Sequence, residues 1–442
     1  MSTSFNPGKG EGQPVGVAVL GMGTVGTDVI RLMQENADAF EARIGGPLAL
    51  KGVAVSDLDK PRPGVDPALL TDDAHALVER DDVDIVVEVI GGIDYPRELV
   101  LKALKAGKSV VTANKALVAA HADELAAAAD EQNVDLYFEA AVAAAIPVVG
   151  MLRRSLAGDQ INRIFGIVNG TTNFILDAMA TTGASYEDAL AEATRLGYAE
   201  ADPTADVEGH DAASKAAILA SLGFHSRVKF NDVHCEGITQ ISADDITAAA
   251  KAGYTIKLLA ICERLTNEDG SEQVSARVHP TLIPSSHPLA SVSKSFNAIY
   301  VDAEAAGSLM FYGNGAGGAP TASAVLGDLV GAARNKVHGG RAPGENTYAN
   351  LPVADFGDVP TRYHIDMQVK DRVGVLADLA TRFADAGISL RTVRQEEVER
   401  HEHARLILVT HQAPESALAG MVERLSELDD VQQVTSVIRL DG

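Results

Sequence analysis

The sequence predicts an α/β chain in three parts: a doubly wound parallel sheet, a mixed α+β middle domain and a small C-terminal βαββαβ domain. Three observations carry that prediction. Apolar runs alternate with helical spacing as far as residue 146. A glycine-rich turn, GMGTVG, follows the first run and opens a helical pattern. From residue 361 onward, strand and helix patterns follow each other in the βαββαβ order.

The elements follow in chain order. Residues 1–13 lack an apolar signal core and are expected to be a disordered tail. Residues 15–20 (VGVAVL), 48–55, 84–90, 109–112 and 135–142 read as strands, several too apolar for one exposed face. They assign 14–146 to a dinucleotide-binding domain, completed by a helix near 319–335. The domain 147–318 is expected to hold the substrate and to dimerise, with a strand at 161–168, helices from Thr171 and over 209–224, and strands at 275–282 and 298–301. Residues 336–360, rich in glycine, proline and asparagine, read as a linker. The last domain, 361–442, has strands at 361–369, 388–394, 404–410 and 431–438, a helix closed by Gly387 and a second helix over 415–428. This order is of the ferredoxin-like kind.

Charge narrows the partners. The formal net charge of −24 opposes binding to nucleic acid or to anionic membrane surfaces. The most apolar run, AAVAAAIPVVGML, is too short to span a bilayer and contains Pro147. Two cysteines, Cys235 and Cys262, suggest no disulfide framework, so the expected location is the cytoplasm.

Gly21, Gly23 and Gly26 form G-x-G-x-x-G between a strand and a helix. There the backbone must turn tightly, approach a pyrophosphate and aim free N–H groups at its charge. This Rossmann-like reading places Thr24, Val25, Gly91 and Thr112 around the cofactor. Asp57 could accept bonds from the ribose diol of NAD, whereas Lys60 and Arg62 could pair with a 2′-phosphate. The reading favours NADP(H) over NAD(H) and leaves both open. VVTANK puts Lys115 beyond a strand end, where ligands of open parallel sheets collect, and where the helix dipole disfavours an idle cation.

The most informative stretch is GYAEADPTADVEGHDAASK, 197–215. Glu200, Asp202, Asp206, Glu208 and Asp211 crowd an acidic loop before a single amine, Lys215. Such self-repulsion suits a cationic substrate beside a proton-transfer group. Asp211 and Lys215 share a helix face, and the alanine-rich helix around Lys215 suits a buried, tuned amine.

Residues 193–215, ATRLGYAEADPTADVEGHDAASK, resemble the homoserine dehydrogenase signature, and the resemblance extends over TANK, EAAVAAAIPVV, VNGTTNFIL and YGNGAGGAPTASAV. It implies reduction of L-aspartate 4-semialdehyde to L-homoserine, in threonine, methionine and isoleucine biosynthesis. By position, Lys215 would protonate the carbonyl oxygen, with Lys115 a second candidate acid. Asp211 would orient Lys215 or the substrate. Glu200 would bind the ammonium with Asp206 beside it, and the turn at Gly315 would approach the nicotinamide. The family also binds a monovalent cation, usually sodium, at a loop matching Glu139, Val142, Ala144 and Ile146; many members carry glycine where this chain has Ala143 or Ala145.

KDRVGVLADLATRFADAGISL is similar to an ACT domain, with Val373 where the usual pattern has proline. That implies amino-acid regulation, with L-threonine as the end-product inhibitor at Gly374, and a homo-oligomer, dimer or tetramer. Two other readings compete: a different ACT-bearing dehydrogenase, which would need a cationic rather than an acidic site, and a sensor without catalysis, which would need none of Lys115, Asp211 or Lys215.

Overall fold

The computed structural model describes residues 8–344, 347–397 and 403–441. The chain divides into two compact units: Met1–Ile164 with Ser214–Asp232 and Phe296–Asn350, and Phe165–Ala213 with Val233–Ser295 and Leu351–Gly442.

In the first unit, six parallel strands lie in the order Leu70–Thr71, Leu48–Ala54, Val15–Leu20, Ile85–Glu88, Ser109–Thr112, Leu136–Tyr137. The order reverses between Val15–Leu20 and Ile85–Glu88, the switch point where open α/β sheets bind ligands. Val15–Leu20 is buried along its whole length, as a strand covered on both faces requires. Helix Gly318–His338 shares one core with this sheet and with helix Thr24–Glu35, its Ala322, Val325, Leu326 and Leu329 clustering with Val17 and Val19 of the sheet and Val29 and Met33 of the helix.

Several expectations change here. The strand expected over 135–142 stops at Tyr137, because Glu139–Ala141 turns into a 3-10 helix. Residues 1–7 of the expected tail lie outside the described residues. Residues 8–13 are tied down instead: the Lys9 and Gly10 N–H groups donate to the carbonyls of Lys336 and Val337, and Lys9 Nζ reaches Asp84 at 2.6 Å. The start of the expected linker is helix as far as His338, and the Ala342 N–H donates to Asp135. Gly307–Asn314 is a strand paired with Phe296–Ala303, and it delivers the glycine turn at Gly315.

The second unit is built on a sheet. Tyr254–Thr266 pairs antiparallel with Glu272–Pro284, over thirteen residues each. The periodicity gave no sign of the first of these, because YTIKLLAICERLT is rich in good helix formers and is held as a strand by its distant partner. Glu272–Pro284 also pairs in parallel with the last strand, Val431–Leu440. Beyond it lie Tyr363–Lys370, His403–Thr410 and Leu390–Glu397. With helices Val375–Asp385 and Glu415–Ser426, these complete the expected βαββαβ domain, closed over Ile365, Met367, Phe383, Leu406 and Leu418.

Candidate active site

In the first unit the three glycines do different work. Gly21 has φ of +98°, and a Cβ there would lie 2.9 Å from the Val89 carbonyl oxygen. A Cβ on Gly26 would lie 2.1 Å from the Gly21 carbonyl oxygen. Both are therefore required by packing. A Cβ on Gly23 would meet open space, so only an outside group needs that glycine bare. Gly23 begins helix Thr24–Glu35 without a side-chain cap, which leaves its first N–H groups for an anion. Thr24 is exposed and Val25 half-buried beside them. These features fit a dinucleotide. The Arg62 guanidinium donates to the Met22 carbonyl at 2.6 Å, which puts a cation on the glycine turn. Asp57 is exposed, and one of its oxygens accepts the Asp59 N–H.

The opposite wall is organised by Glu88, a residue that no motif marks. It is fully buried at the end of its strand. Its Oε1 accepts the Ile90 N–H at 2.8 Å and the Gly91 N–H at 3.4 Å. Its Oε2 accepts the Thr112 hydroxyl at 2.5 Å. Thr112 Oγ1 accepts the Asn114 N–H, and the Asn114 amide donates to the Gly92 carbonyl at 2.8 Å. Asn114 also caps helix Lys115–Glu131, so Lys115 stands exposed at its first position. Glu88 thus sets Gly91, Thr112 and Lys115 in one frame.

Glu139 is buried, and its carboxylate accepts the N–H groups of Val149 and Gly150 at 2.8 and 2.7 Å. Its own N–H donates to Asp328 at 2.7 Å. Burial raises both acids, Asp328 to about 7, and the backbone bonds only partly offset this. Val142, Ala144 and Ile146 are buried too. Ala143 and Ala144 have φ of 55° and 45°, so alanine takes the left-handed conformation that glycine adopts freely. One carboxylate and a tight turn of carbonyls suit a hard cation. Among the described residues no cluster of three acidic, histidine or cysteine side chains suits a metal.

Gly315 half-faces solvent, and a Cβ there would overlap the buried Asn297 amide at 1.9 Å. Lys215 also belongs to this unit and is 7% exposed, a buried amine as the alanine-rich helix suggests. A cavity of about 300 Å³ lined by Val118, Asp123, Ile218, Leu222, Arg227 and Tyr348 contains none of the expected site residues.

The second unit gathers the acids. Asn169 caps helix Gly170–Thr182, accepting the Thr172 N–H on Oδ1, which orients its amide. Its Nδ2 then donates to Asp206 at 2.7 Å and to Asp211 at 2.8 Å. Two carboxylates drawn to one NH2 concentrate negative charge, a setting for a cation. Asp211 is buried and lies one turn before Lys215 on helix His210–Gly223. Glu200 is exposed, and its turn is held where Thr171 donates to the Tyr198 carbonyl at 2.7 Å. The sequence reading missed Asn169 and Glu88; the available signals were an asparagine before a helical run and an acid at the end of an apolar strand.

Fold and site together define a dinucleotide-dependent enzyme with an appended ACT domain. Profiles described as "Homoserine dehydrogenase, NAD binding domain", "Homoserine dehydrogenase" and "ACT domain" match residues 21–139, 147–330 and 363–430. A homoserine dehydrogenase of Corynebacterium glutamicum is 74% identical, over 99% of this chain and 98% of its own. The crystal structure of a homoserine dehydrogenase from Thiobacillus denitrificans superposes with a TM-score of 0.89 at 40% identity, over 98% of this chain and 99% of that one. A hyperthermophilic archaeal homoserine dehydrogenase in complex with NADPH superposes at 0.60 and 30% identity, over 72% of this chain and 98% of that one. The chain belongs to the homoserine dehydrogenase family. No helix among the described residues is long and apolar enough to cross a membrane.

Proposed function

We propose that this enzyme reduces L-aspartate 4-semialdehyde to L-homoserine, a step toward threonine, methionine and isoleucine, in the cytoplasm. The observation that carries the reading is the pair Asp206 and Asp211 on one Asn169 amide, with Asp211 one helical turn before a buried lysine. Asp206, with Glu200, holds the substrate ammonium. Asp211 orients Lys215, which gives its proton to the carbonyl oxygen as negative charge develops there. Lys115, framed by Glu88 and Asn114 beyond the strand end, is the second candidate donor. The bound cofactor supplies hydride. Gly21, Gly23, Thr24, Val25 and Gly26 would seat its pyrophosphate, with Gly91, Thr112 and Gly315 as its further contacts. Arg62 on the glycine turn supports NADP(H) over NAD(H), and the NADPH complex of the archaeal relative agrees. Sodium would be held by Glu139 and the carbonyls of Val142, Ala144 and Ile146. The ACT domain binds L-threonine at Gly374, whose φ is +98° and whose surroundings are open. The chain forms a homo-oligomer, dimer or tetramer, with its ACT domains paired.

The test is nicotinamide absorbance with aspartate semialdehyde and NADPH or NADH, with and without threonine. Absence of turnover with both cofactors sinks the catalytic reading. Turnover that ignores threonine removes only the regulatory part. Lys215→Ala is expected to lower kcat by roughly 10²–10⁴-fold. A change confined to KM would make Lys215 a binding residue.

A further inference from the structure

A chain of contacts inside the second unit runs from the last strand to the acidic loop. Val431–Leu440 leaves the ACT sheet by pairing with Glu272–Pro284, Arg439 opposite Thr281 and Leu440 opposite Leu282. At that crossing Arg439 grips Glu236 with two bonds, 2.6 and 2.8 Å, and Glu415 with bonds of 3.0 and 2.5 Å. Glu415 is buried and also accepts the hydroxyls of Thr361 and Tyr363. His234 contacts Glu236 at 2.8 Å and stacks on Phe356, over which the Arg439 guanidinium also lies. A planar guanidinium bound on two sides in this way has one orientation.

Glu236 sits in a segment, 234–238, that forms the floor of the acidic loop. The Ile238 N–H donates to the Val207 carbonyl at 2.8 Å, and the Cys235 thiol donates to the Glu208 carbonyl at 3.2 Å. A Cβ on Gly237 would lie 2.2 Å from the Val207 carbonyl oxygen, so the two backbones are in direct contact. Val207 and Glu208 lie between Asp206 and Asp211, the two acids that Asn169 gathers. Glu236 is also fastened to the sheet, its N–H donating to the Val278 carbonyl at 2.8 Å.

We propose that Glu236 and Arg439 are positioning residues that tie the final ACT strand to the floor of the acidic loop, so that displacement of this strand changes the loop's hold on the substrate ammonium. The inference rests on the reading of that loop as the ammonium site. It gives a ligand of the ACT domain a mechanical route to substrate affinity through two side chains. Arg439 acts through Glu236, Glu236 through the backbone of 235–238, and that backbone through Val207.

The experiment compares the full-length enzyme with Glu236→Gln, Arg439→Lys and Arg439→Gln, with Arg382→Gln in an exposed helical pair as control. Amide hydrogen exchange over residues 204–211 and 235–238 is measured beside steady-state kinetics. Glu236→Gln and Arg439→Gln are expected to raise exchange there tenfold or more, and to raise KM for the amino-acid substrate at least threefold with a smaller change in kcat. Arg439→Lys should restore part of both. Inhibition by threonine should weaken in step with the loss of protection. Should Arg439→Gln fail to fold, Glu236→Gln, which keeps the side-chain shape but turns one of the two oxygens that accept from Arg439 into a donor, decides the matter. Unchanged exchange over 204–211 in folded Glu236→Gln overturns the proposal. If wild-type enzyme turns over no aspartate semialdehyde, the ammonium-site reading fails, and faster exchange would still establish the tie itself.

Discussion

Glu139 with Asp328 and Glu236 with Glu415 are two pairs of acids withdrawn from water to different degrees, and their carboxyl groups are displaced in opposite directions. Burial raises Glu139 and Asp328, whose hydrogen-bond donors are backbone N–H groups. Burial works against the charge of Glu236 and Glu415 as well, but it is more than offset, at Glu236 by the bonds to His234 and Arg439 and at Glu415 by those to Arg439, Thr361 and Tyr363. Arg439 is itself held more firmly protonated by both acids. A neutral donor cannot replace a counter-charge when both are taken out of water. The first cluster has only the partial offset of the nearby Arg153 and Arg154 charges; the second holds its counter-charge, Arg439, in direct contact.

The largest effect should come from breaking the second cluster. Arg439→Leu strands the buried Glu415 without a counter-charge and leaves half-buried Glu236 with His234 alone. Removing one partner of such a pair costs about 3–5 kcal/mol, read as lost unfolding free energy in urea. A loss below about 1 kcal/mol would put the cluster with exposed ion pairs and erase the contrast.

Next comes the sign of the pH dependence. Asp328 titrates near 7 in the folded chain and near 3.8 when unfolded, so the folded state holds the extra proton between those values. Its contribution therefore becomes less favourable as pH rises from 4 to 7, by on the order of 4 kcal/mol in full. Asp328→Asn keeps an acceptor for the Glu139 N–H and removes the titration. The variant should gain on wild type through that window and keep the gain above it. Glu415, held below its ordinary range, loses stabilisation as pH falls. Sodium in place of tetramethylammonium should shrink the Asp328→Asn advantage if a cation binds beside Glu139. An advantage identical in both salts would leave that loop without its proposed ion.

Lys257 tests the same rule with the opposite charge. It is 2% exposed, and it donates to Asn173 Oδ1 at 2.9 Å and the Val292 carbonyl at 2.7 Å. Burial lowers it to about 8 and Asp177 offsets only part of this. The unfolded chain holds the extra proton between 8 and its ordinary value of 10.5, so stability from this group rises with pH across that window. Against Lys257→Met, wild type should gain about 3 kcal/mol from pH 8 to 10.5. A flat difference would mean the ammonium finds a counter-charge in solution.

What was legible in the sequence follows from the same distinction. The glycine turn, the acidic loop and the βαββαβ order are local, and spacing alone exposes them. Asn169 meets Asp206 and Asp211 across 37 and 42 residues, and Arg439 meets Glu236 across 203. No periodicity encodes such pairings. Glu88 was hidden in an apolar strand by its five apolar neighbours in DIVVEVI. The strand Tyr254–Thr266 was hidden by its helix-forming composition, which an antiparallel partner overrides. The expected strand at 135–142 failed for a related reason: beyond Tyr137 its apolar residues are buried by a tight turn instead of a sheet.

The smallest effect concerns that turn. Ala144 is buried with φ of 45°, where a side chain costs about 1–2 kcal/mol, and glycine would return roughly 0.5–1 kcal/mol of that as backbone entropy. Ala144→Gly should therefore raise the melting temperature by about one to three degrees. A lower melting temperature would mean that the Ala144 methyl group packs well enough to outweigh the strain. Sodium makes the same variant more informative. If the strained turn aims the Val142 and Ala144 carbonyls at an ion, relaxing it should weaken sodium's effect on stability even while the ion-free protein becomes more stable. Opposite signs in one variant would separate a turn shaped for an ion from a turn that merely tolerates alanine.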